Sequence, residues 1–516
     1  MSTTRHHIRS ETNAENNAAF GRDFSASLVV FLVALPLCMG IALASGMPPA
    51  AGLVTGMIGG LVVGFLAGQP LQVSGPAAGL AVIVFELVRE HGIAVLGPLL
   101  MIAGAVQLAA GLLKTGRYFR AISPEVIHGM LAGIGVLIVI QQFYVVLDRS
   151  PRHNGPENIM GMWDAIFGGL FPLNGSREEA AALVGVTTMA VMILWERFRP
   201  VRLKLVPGAL LGIASATALA QFLHLGVNRI KVPDNLLQMI SLPNLSSLHG
   251  MTLSSIVGTA FALAFIASAE TLLSAAAVEQ MQNRCKTNYD RELAAQGVGN
   301  LLCGFVGALP MTGVIVRSST NVQAGAQSRR SAILHGVWML ASVVVFASVL
   351  RLIPTASLAA VLIFVGIRLV KPAEVRKLAR FGRVPVLIYF ASMLTIVCTD
   401  LLTGVIVGVS LSLLRLLYTV AHLETRIEDQ NGETHVHLSG IGTFVSIPRI
   451  TRALDQIKPD TPMVHVHCGE LRYIDHACIE VIESWTERLE QNGQAVNIEM
   501  EKLHLRYRAR VSETLS

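Results

Sequence analysis

The run LVVFLVALPLCMGIALA at residues 28–44, and the many like it that follow, leave this chain few folds to choose from. A backbone in hydrocarbon must satisfy its own hydrogen bonds, so only helices and closed barrels cross a bilayer. The runs lack the apolar–polar alternation of barrel strands. With 46 glycines and only 6% aromatic residues, the chain suits closely packed helices, whose backbones approach through small residues. Charged residues make up 14% of the chain, against about a quarter in soluble domains, so we read an all-α polytopic membrane protein.

At about 20 residues per span, spans are predicted at 24–45, 50–68, 70–88, 94–113, 122–146, 180–195 and 205–224. After a polar stretch at 225–250 a second set follows at 253–278, 293–308, 311–327, 331–350, 356–370, 385–399 and 401–421. Seven spans in each half make the halves inverted with respect to each other. A cytoplasmic N-terminus then puts seventeen Lys and Arg in inside loops, among them Arg117, Arg120, Arg202, Lys204 and Arg284. The outside loops carry seven: Arg89, Arg149, Arg152, Arg177, Arg229, Lys231 and Arg351. That asymmetry is the positive-inside pattern, and it accounts for the net charge of +6 without a nucleic-acid partner. The polar N-terminal tail, 1–22, shows no removable signal segment.

The halves echo one another. VPGALLGIASATAL (206–219) resembles LTGVIVGVSLSLL (402–414), and QPLQVSGPAAGL (69–80) answers LPMTGVIVRSST (309–320). Inverted repeats with interrupted third spans mark transporters that bind substrate near the midplane. After residue 422 the composition turns polar, and MVHVHCGE and HACIEVIESWTERLEQNG read as strand and helix of a small cytoplasmic α/β domain, 430–516. The six cysteines form no C-x-x-C pair and read as small hydrophobes. The HVH pairs at 435–437 and 465–467 read as surface strand residues rather than a metal site, and neither H-E-x-x-H nor a nucleophile elbow is present. We therefore expect no enzyme, no metal and no cofactor.

Chemistry concentrates at the two interruptions. Ser74 is a good N-cap and Pro76 fits a first helical turn, while MTGVIV is extended and a second helix can start at Ser318 or Ser319. Two half-helix N-termini facing each other, with Arg317 added, make an anion site. The alternative is structural: serines capping a packing defect and an arginine that snorkels or pairs. Glu270 is the other charge at depth, with Thr271 beside it and Ser274 one turn on. Three roles stay open for it: carrying a coupling proton, sharing a sodium site with Ser274, or pairing with Arg317.

These stretches carry a family resemblance. VALPLCMGIALASGMPPAAGLVTGMIGGLVVGFLAG, QVSGPAAGL, SAETLLSAAAVEQM and YDRELAAQGVGNLLCGFVGALPMTGVIVRSSTNVQAGAQSRRSAILHG resemble the sulfate permease (SulP) family of anion transporters with a C-terminal STAS domain, in its bacterial bicarbonate- or sulfate-type branch. The resemblance implies a core domain (spans 1–4 and 8–11) moving against a gate domain (spans 5–7 and 12–14), as in nucleobase transporters. It implies homodimers in the inner membrane, with the anion between Gln72, Ser74, Gly75, Pro76, Ala77 and Ala78 on one side and Arg317, Ser318 and Ser319 on the other. Ion coupling would fall to Glu270, Thr271 and Ser274. Three positions depart from the family: Leu37 and Cys38 follow Pro36 where a polar residue is common, Glu270 replaces the aspartate of sodium-coupled members, and His476, Ala477 and Cys478 replace a phosphorylated serine after Asp475. The function expected is secondary-active inorganic anion transport, by proton- or sodium-coupled symport or by exchange. The alternatives are an uncoupled anion channel or a nucleobase transporter.

Overall fold

The computed structural model describes residues 2–116, 123–152, 154–170, 175–200, 203, 206–231, 240, 242–282, 285–420, 423–430, 433–457, 461, 463–491 and 493–498. Arg117, Arg120, Arg202, Lys204 and Arg284, residues 232–239 and 241 of the polar stretch at 225–250, and the tail LHLRYRARV lie outside the described residues. The chain divides into two compact units, Met1–Val409 and Ser410–Ser516.

The first unit is helical. Its helix α1 (Ser2–Ala44) carries a candidate span over Ala19–Ala44, predominantly apolar from Phe24 onward. Next, α2 (Pro49–Ile58) passes through a π turn, Gly59–Val63, into α3 (Gly64–Leu66). A three-residue strand, β1 (Ser74–Pro76), then gives way to a 3₁₀ turn and α4 (Ala81–His91). The run continues with α5 (Leu96–Leu112), α6 (Pro124–Val146), α7 (Gly155–Leu170), α8 (Arg177–Phe198) and α9 (Gly208–Phe222). The second series is α10 (Leu253–Met281), α11 (Tyr289–Val306), strand β2 (Met311–Gly313), α12 (Ile315–Gln323), α13 (Arg330–Val345), α14 (Ala347–Leu350), α15 (Thr355–Leu369), α16 (Pro372–Ala379), α17 (Arg383–Cys398) and α18 (Leu401–Val420). Among the described residues eight helical stretches are long and apolar enough to cross a membrane, and three shorter apolar helices accompany them. The sequence reading missed α7, because its apolar residues are interleaved with Asn158, Asp164 and glycines.

Two groups of helices pack among themselves. One joins α1–α5 with α10–α13; the other joins α6–α9 with α15–α17. Inside the first, α5 lies against α11 at backbone distance: a Cβ at Gly297 would stand 2.4 Å from the Leu108 nitrogen. The π turn of α2 is a second such contact. A Cβ at Gly60 would stand 2.4 Å from the Gly336 Cα of α13, and one at Gly59 would stand 2.5 Å from the Ser74 carbonyl oxygen of β1. Two adjacent glycines thus let one helix accept a helix on one side and a strand on the other. Single π turns of this kind concentrate at functional sites.

The second unit carries a four-stranded sheet, β3 (Leu423–Gln430), β4 (Glu433–Gly442), β5 (Met463–Ile474) and β6 (Ala495–Ile498), in that order. The first pair is antiparallel and the others parallel. Helices α19 (Ile447–Leu454) and α20 (His476–Gln491) share the core with Val436, Val464 and Val466. Asp475 caps α20 by accepting from the Cys478 N–H at 2.9 Å. Burial and that carboxylate push the Cys478 thiol up, so it behaves as a packed apolar group. On β4 and β5, His435 stands opposite His465 and His437 opposite His467. Their rings stack, with centroids 4.8 and 4.5 Å apart.

Candidate functional site

The two interrupted segments meet. β1 pairs antiparallel with β2, Ser74 opposite Gly313, Gly75 opposite Thr312 and Pro76 opposite Met311. The ribbon extends at both ends, through Val314 N–H to Val73 C=O at 3.0 Å and Ala77 N–H to Pro310 C=O at 3.2 Å. Antiparallel strands leave a ribbon at opposite ends, so α4 and α12 depart on opposite sides with the ribbon between their N-termini.

This corrects the expected local structure. Ser74 is not an N-cap and Pro76 is not in a helical turn: both lie in β1, and the N-cap position is Ala77. Nor does the second half-helix start at Ser318 or Ser319; it starts at Ile315 after Val314. The physical reason is that strand pairing between distant segments satisfies the N–H and C=O groups that a cap would otherwise serve.

Side chains alternate across a strand, so the ribbon has two faces. One face, with Ser74 and Met311, lies on α11. Gln296 Nε2 donates to Ser74 Oγ at 2.6 Å. Asn300 clamps Met311, accepting from its N–H at 2.8 Å and donating to its C=O at 3.1 Å, and also donates to Gln107 Oε1 at 2.7 Å. Glu292, one turn before Gln296, accepts from the Gly68 and Gln69 N–H groups at 2.7 and 2.9 Å. These three residues, spaced by four in RELAAQGVGN, form one polar stripe on α11. The sequence reading passed over them, although polar side chains at helical spacing inside a span were the available signal. Asn300→Ala would orphan three buried groups and is expected to cost about 2–4 kcal/mol, measured as a lowered melting temperature of the purified protein.

The other face presents Gly75 and Thr312. Arg317, fully buried in the first turn of α12, lies directly on Gly75: a Cβ there would stand 1.9 Å from Arg317 Nη1. None of the three guanidinium nitrogens makes a well-formed hydrogen bond within the protein, although the Cys38 thiol adjoins them. A pair between Arg317 and Glu270, one of the three roles open to Glu270, is therefore not formed. Glu270 instead sits beside Thr312 and the Gly79 N–H, its Oε2 2.8 Å from where a Gly79 Cβ would be. It thus faces the N-terminal turn that leads into α4, where backbone N–H groups and the helix dipole favour negative charge.

The remaining expected site residues divide. Ser318 is committed to the scaffold, donating to Val314 C=O at 2.7 Å and accepting from Val73 N–H at 2.9 Å. Thr271 Oγ1 accepts from Gly313 N–H at 3.1 Å, and its carbonyl accepts from Gln72 Nε2 at 3.3 Å. Ser319 bonds its own helix at Val316 C=O, and Ala78 is partly exposed next to Gly79. Ser274 is buried with its hydroxyl unpartnered. Among the described residues fifteen buried side-chain atoms lack a partner in the protein. Ten of them belong to Gln72, Glu270, Ser274, Gln296, Thr312, Arg317 and His335. Buried polar groups are normally paired, so their concentration on the ribbon and its flanking helices makes this the candidate site for a polar ligand.

Comparison with known proteins places the fold. The chain is 29% identical to YvdB of Bacillus subtilis, named provisionally as a sulfate transporter, over 81% of this chain and 77% of that one. It is 25% identical to the bicarbonate transporter BicA of a Picosynechococcus species, over 75% and 68%. The inward-facing structure of the murine Slc26a9 anion transporter superposes on 92% of this chain and 85% of its own with a TM-score of 0.76 at 17% identity, a likeness of fold. The model of the sulfate permease family matches residues 20–392, and the chain belongs to that family.

Proposed function

We propose that this protein is a secondary-active transporter of a small inorganic oxyanion, bicarbonate or sulfate, coupled to protons and working by alternating access. The observation that carries this reading is the fully buried, unpartnered guanidinium of Arg317 lying on bare Gly75, between two half-helix N-termini. Burying an unpaired ion costs on the order of several kcal/mol, and an oxyanion in the fork of that guanidinium offsets the cost. The relatives are named, provisionally for YvdB, as a sulfate transporter and a bicarbonate transporter, and both anions suit such a fork.

In this reading fourteen spans form two inverted repeats, residues 23–422. The group α1–α5 with α10–α13 is the core that carries the site, and α6–α9 with α15–α18 is the gate. The termini are cytoplasmic, the membrane is the inner cell membrane, residues 430–516 form a STAS domain, and the protein works as a homodimer. The basic inside loops support the orientation, and the strand–helix order supports the C-terminal assignment.

Coupling follows from Glu270. Its carboxylate faces the N-terminal turn before α4, the place an anion would take, so the two negative charges compete. Protonating Glu270 removes the competitor and lets anion and proton travel together. Purified protein in proteoliposomes, given labelled bicarbonate or sulfate under an imposed proton or sodium gradient, tests this. Wild-type uptake is expected to accelerate with an inward proton gradient, and Glu270→Gln to take up anion at a rate indifferent to the gradient. Unaltered proton dependence in Glu270→Gln would remove Glu270 from the mechanism, and sodium dependence would reassign it with Ser274 to a cation site.

A further inference from the structure

His335 has no part in the mechanism above, yet it is fully buried in α13 and neither of its ring nitrogens has a partner in the protein. Leaving such a group unpaired costs about 1–3 kcal/mol, so its retention in a packed helix asks for a ligand. The packing holds its helix against the elements that carry the anion site. Gly336, the next residue, rests on Gly60, while the neighbouring Gly59 carries the Ser74 carbonyl of β1. The π turn of α2 therefore brings α13 and β1 together from two sides. Arg317, lying on Gly75, is the charged group that neighbours His335. Cys38 of α1 adjoins the same guanidinium and meets Met339, one turn beyond His335, at Gly56.

The chemistry of the two side chains is complementary. A guanidinium only donates hydrogen bonds. In its neutral form the imidazole offers one N–H and one acceptor lone pair. Together they present a donor fork and, beside it, an acceptor. An oxyanion that carries its own hydroxyl meets both, two oxygens in the fork and the O–H donated to the ring. Bicarbonate has that hydroxyl, whereas sulfate at neutral pH has none.

We propose that His335 is a second contact of the anion site, accepting the hydroxyl of a hydrogen-bearing oxyanion and so favouring bicarbonate over sulfate. The inference rests on the anion-site reading of Arg317, and its test separates the two. Initial uptake of radiolabelled bicarbonate and of sulfate is measured in proteoliposomes for the full-length wild type, Arg317→Ala, His335→Ala, His335→Leu and His335→Gln. Each variant is also melted to verify folding. A site built to bond a substrate hydroxyl discriminates strongly against analogues lacking it. The bicarbonate-to-sulfate ratio is therefore expected to fall about 10-fold or more in His335→Ala and His335→Leu, and to recover in His335→Gln, whose amide restores an acceptor and a donor. Should His335→Ala fail to fold, the Leu and Gln variants carry the same comparison. An unchanged ratio in a folded variant, an equal loss for both anions that Gln does not rescue, or a wild type that moves sulfate alone would each overturn the role of His335. Normal transport by Arg317→Ala would instead overturn the site itself.

Discussion

Arg317→Ala is expected to abolish measurable anion uptake while leaving the protein as stable as the wild type or more so. The two halves of that result come from one fact, the burial of a guanidinium whose Nε, Nη1 and Nη2 have no partner in the protein. Charge-assisted hydrogen bonds contribute about 1.5–3 kcal/mol each. A bidentate grip on an oxyanion is then worth about 3–6 kcal/mol, or roughly 100-fold to 10,000-fold in affinity. Removing an unpaired buried charge costs the fold nothing comparable, since replacing buried ionic groups by apolar ones is often neutral or stabilising. Arg317→Lys keeps the charge without the planar fork and should retain a small fraction of uptake at raised KM. Uptake in proteoliposomes and a thermal melt of the same preparation read both quantities. A purely structural arginine would show the opposite pattern, with transport tracking stability. An Arg317→Ala protein that melts several degrees lower and still transports in proportion to its folded fraction would show that Arg317 braces the ribbon.

How much of this was legible in the sequence depends on whether the interaction is local. Apolar runs locate helices because the bilayer requirement acts residue by residue, and Arg317 and Glu270 stand out because a charge among apolar neighbours is conspicuous. Ser74 and Pro76 misled for the same reason. Their local preference for a helix start is real, but β1 bonds a segment more than two hundred residues away, and no propensity reports such a partner. Once the ribbon exists, Ser318 serves as a brace between Val73 and Val314 instead of a cap. His335 was invisible because SAILHGVW reads as any membrane helix with one histidine. Its meaning comes from Gly60 and Gly336 closing α13 onto α2. The stripe Glu292, Gln296 and Asn300 is legible as polar residues at a spacing of four, a weaker signal than a lone charge because uncharged polar side chains are common at helix interfaces in membranes.

Gly75→Ala tests whether the bare strand face is what positions the arginine. The added Cβ would stand 1.9 Å from Nη1, well inside contact distance, so the guanidinium must move by an ångström or more. It is the end of a flexible side chain and can do so without disturbing the backbone. Gly75 does not adopt positive φ, so alanine suits its strand conformation and loses less chain entropy on folding than glycine. Stability is therefore expected to change by less than about 1 kcal/mol, whereas misplacing a substrate-gripping group by about 1 Å can cost roughly 100-fold in rate. Gly60→Ala is the control with the reverse expectation. There the new Cβ meets the Gly336 Cα at 2.4 Å, backbone against backbone, and no rotamer relieves it. Overpacking of that kind costs about 1–3 kcal/mol and should appear as a lower melting temperature, with transport falling only as the folded fraction falls. If Gly75→Ala transported normally, the guanidinium would have to reach its anion from another direction, and the ribbon face would lose its assigned role. If it were instead the variant that unfolded, Gly75 would be a packing residue like Gly60. The distinction matters because both glycines lie at close contacts, and only the identity of the opposing atom, side-chain nitrogen in one case and main-chain carbon in the other, separates a glycine kept for the ligand from one kept for the fold.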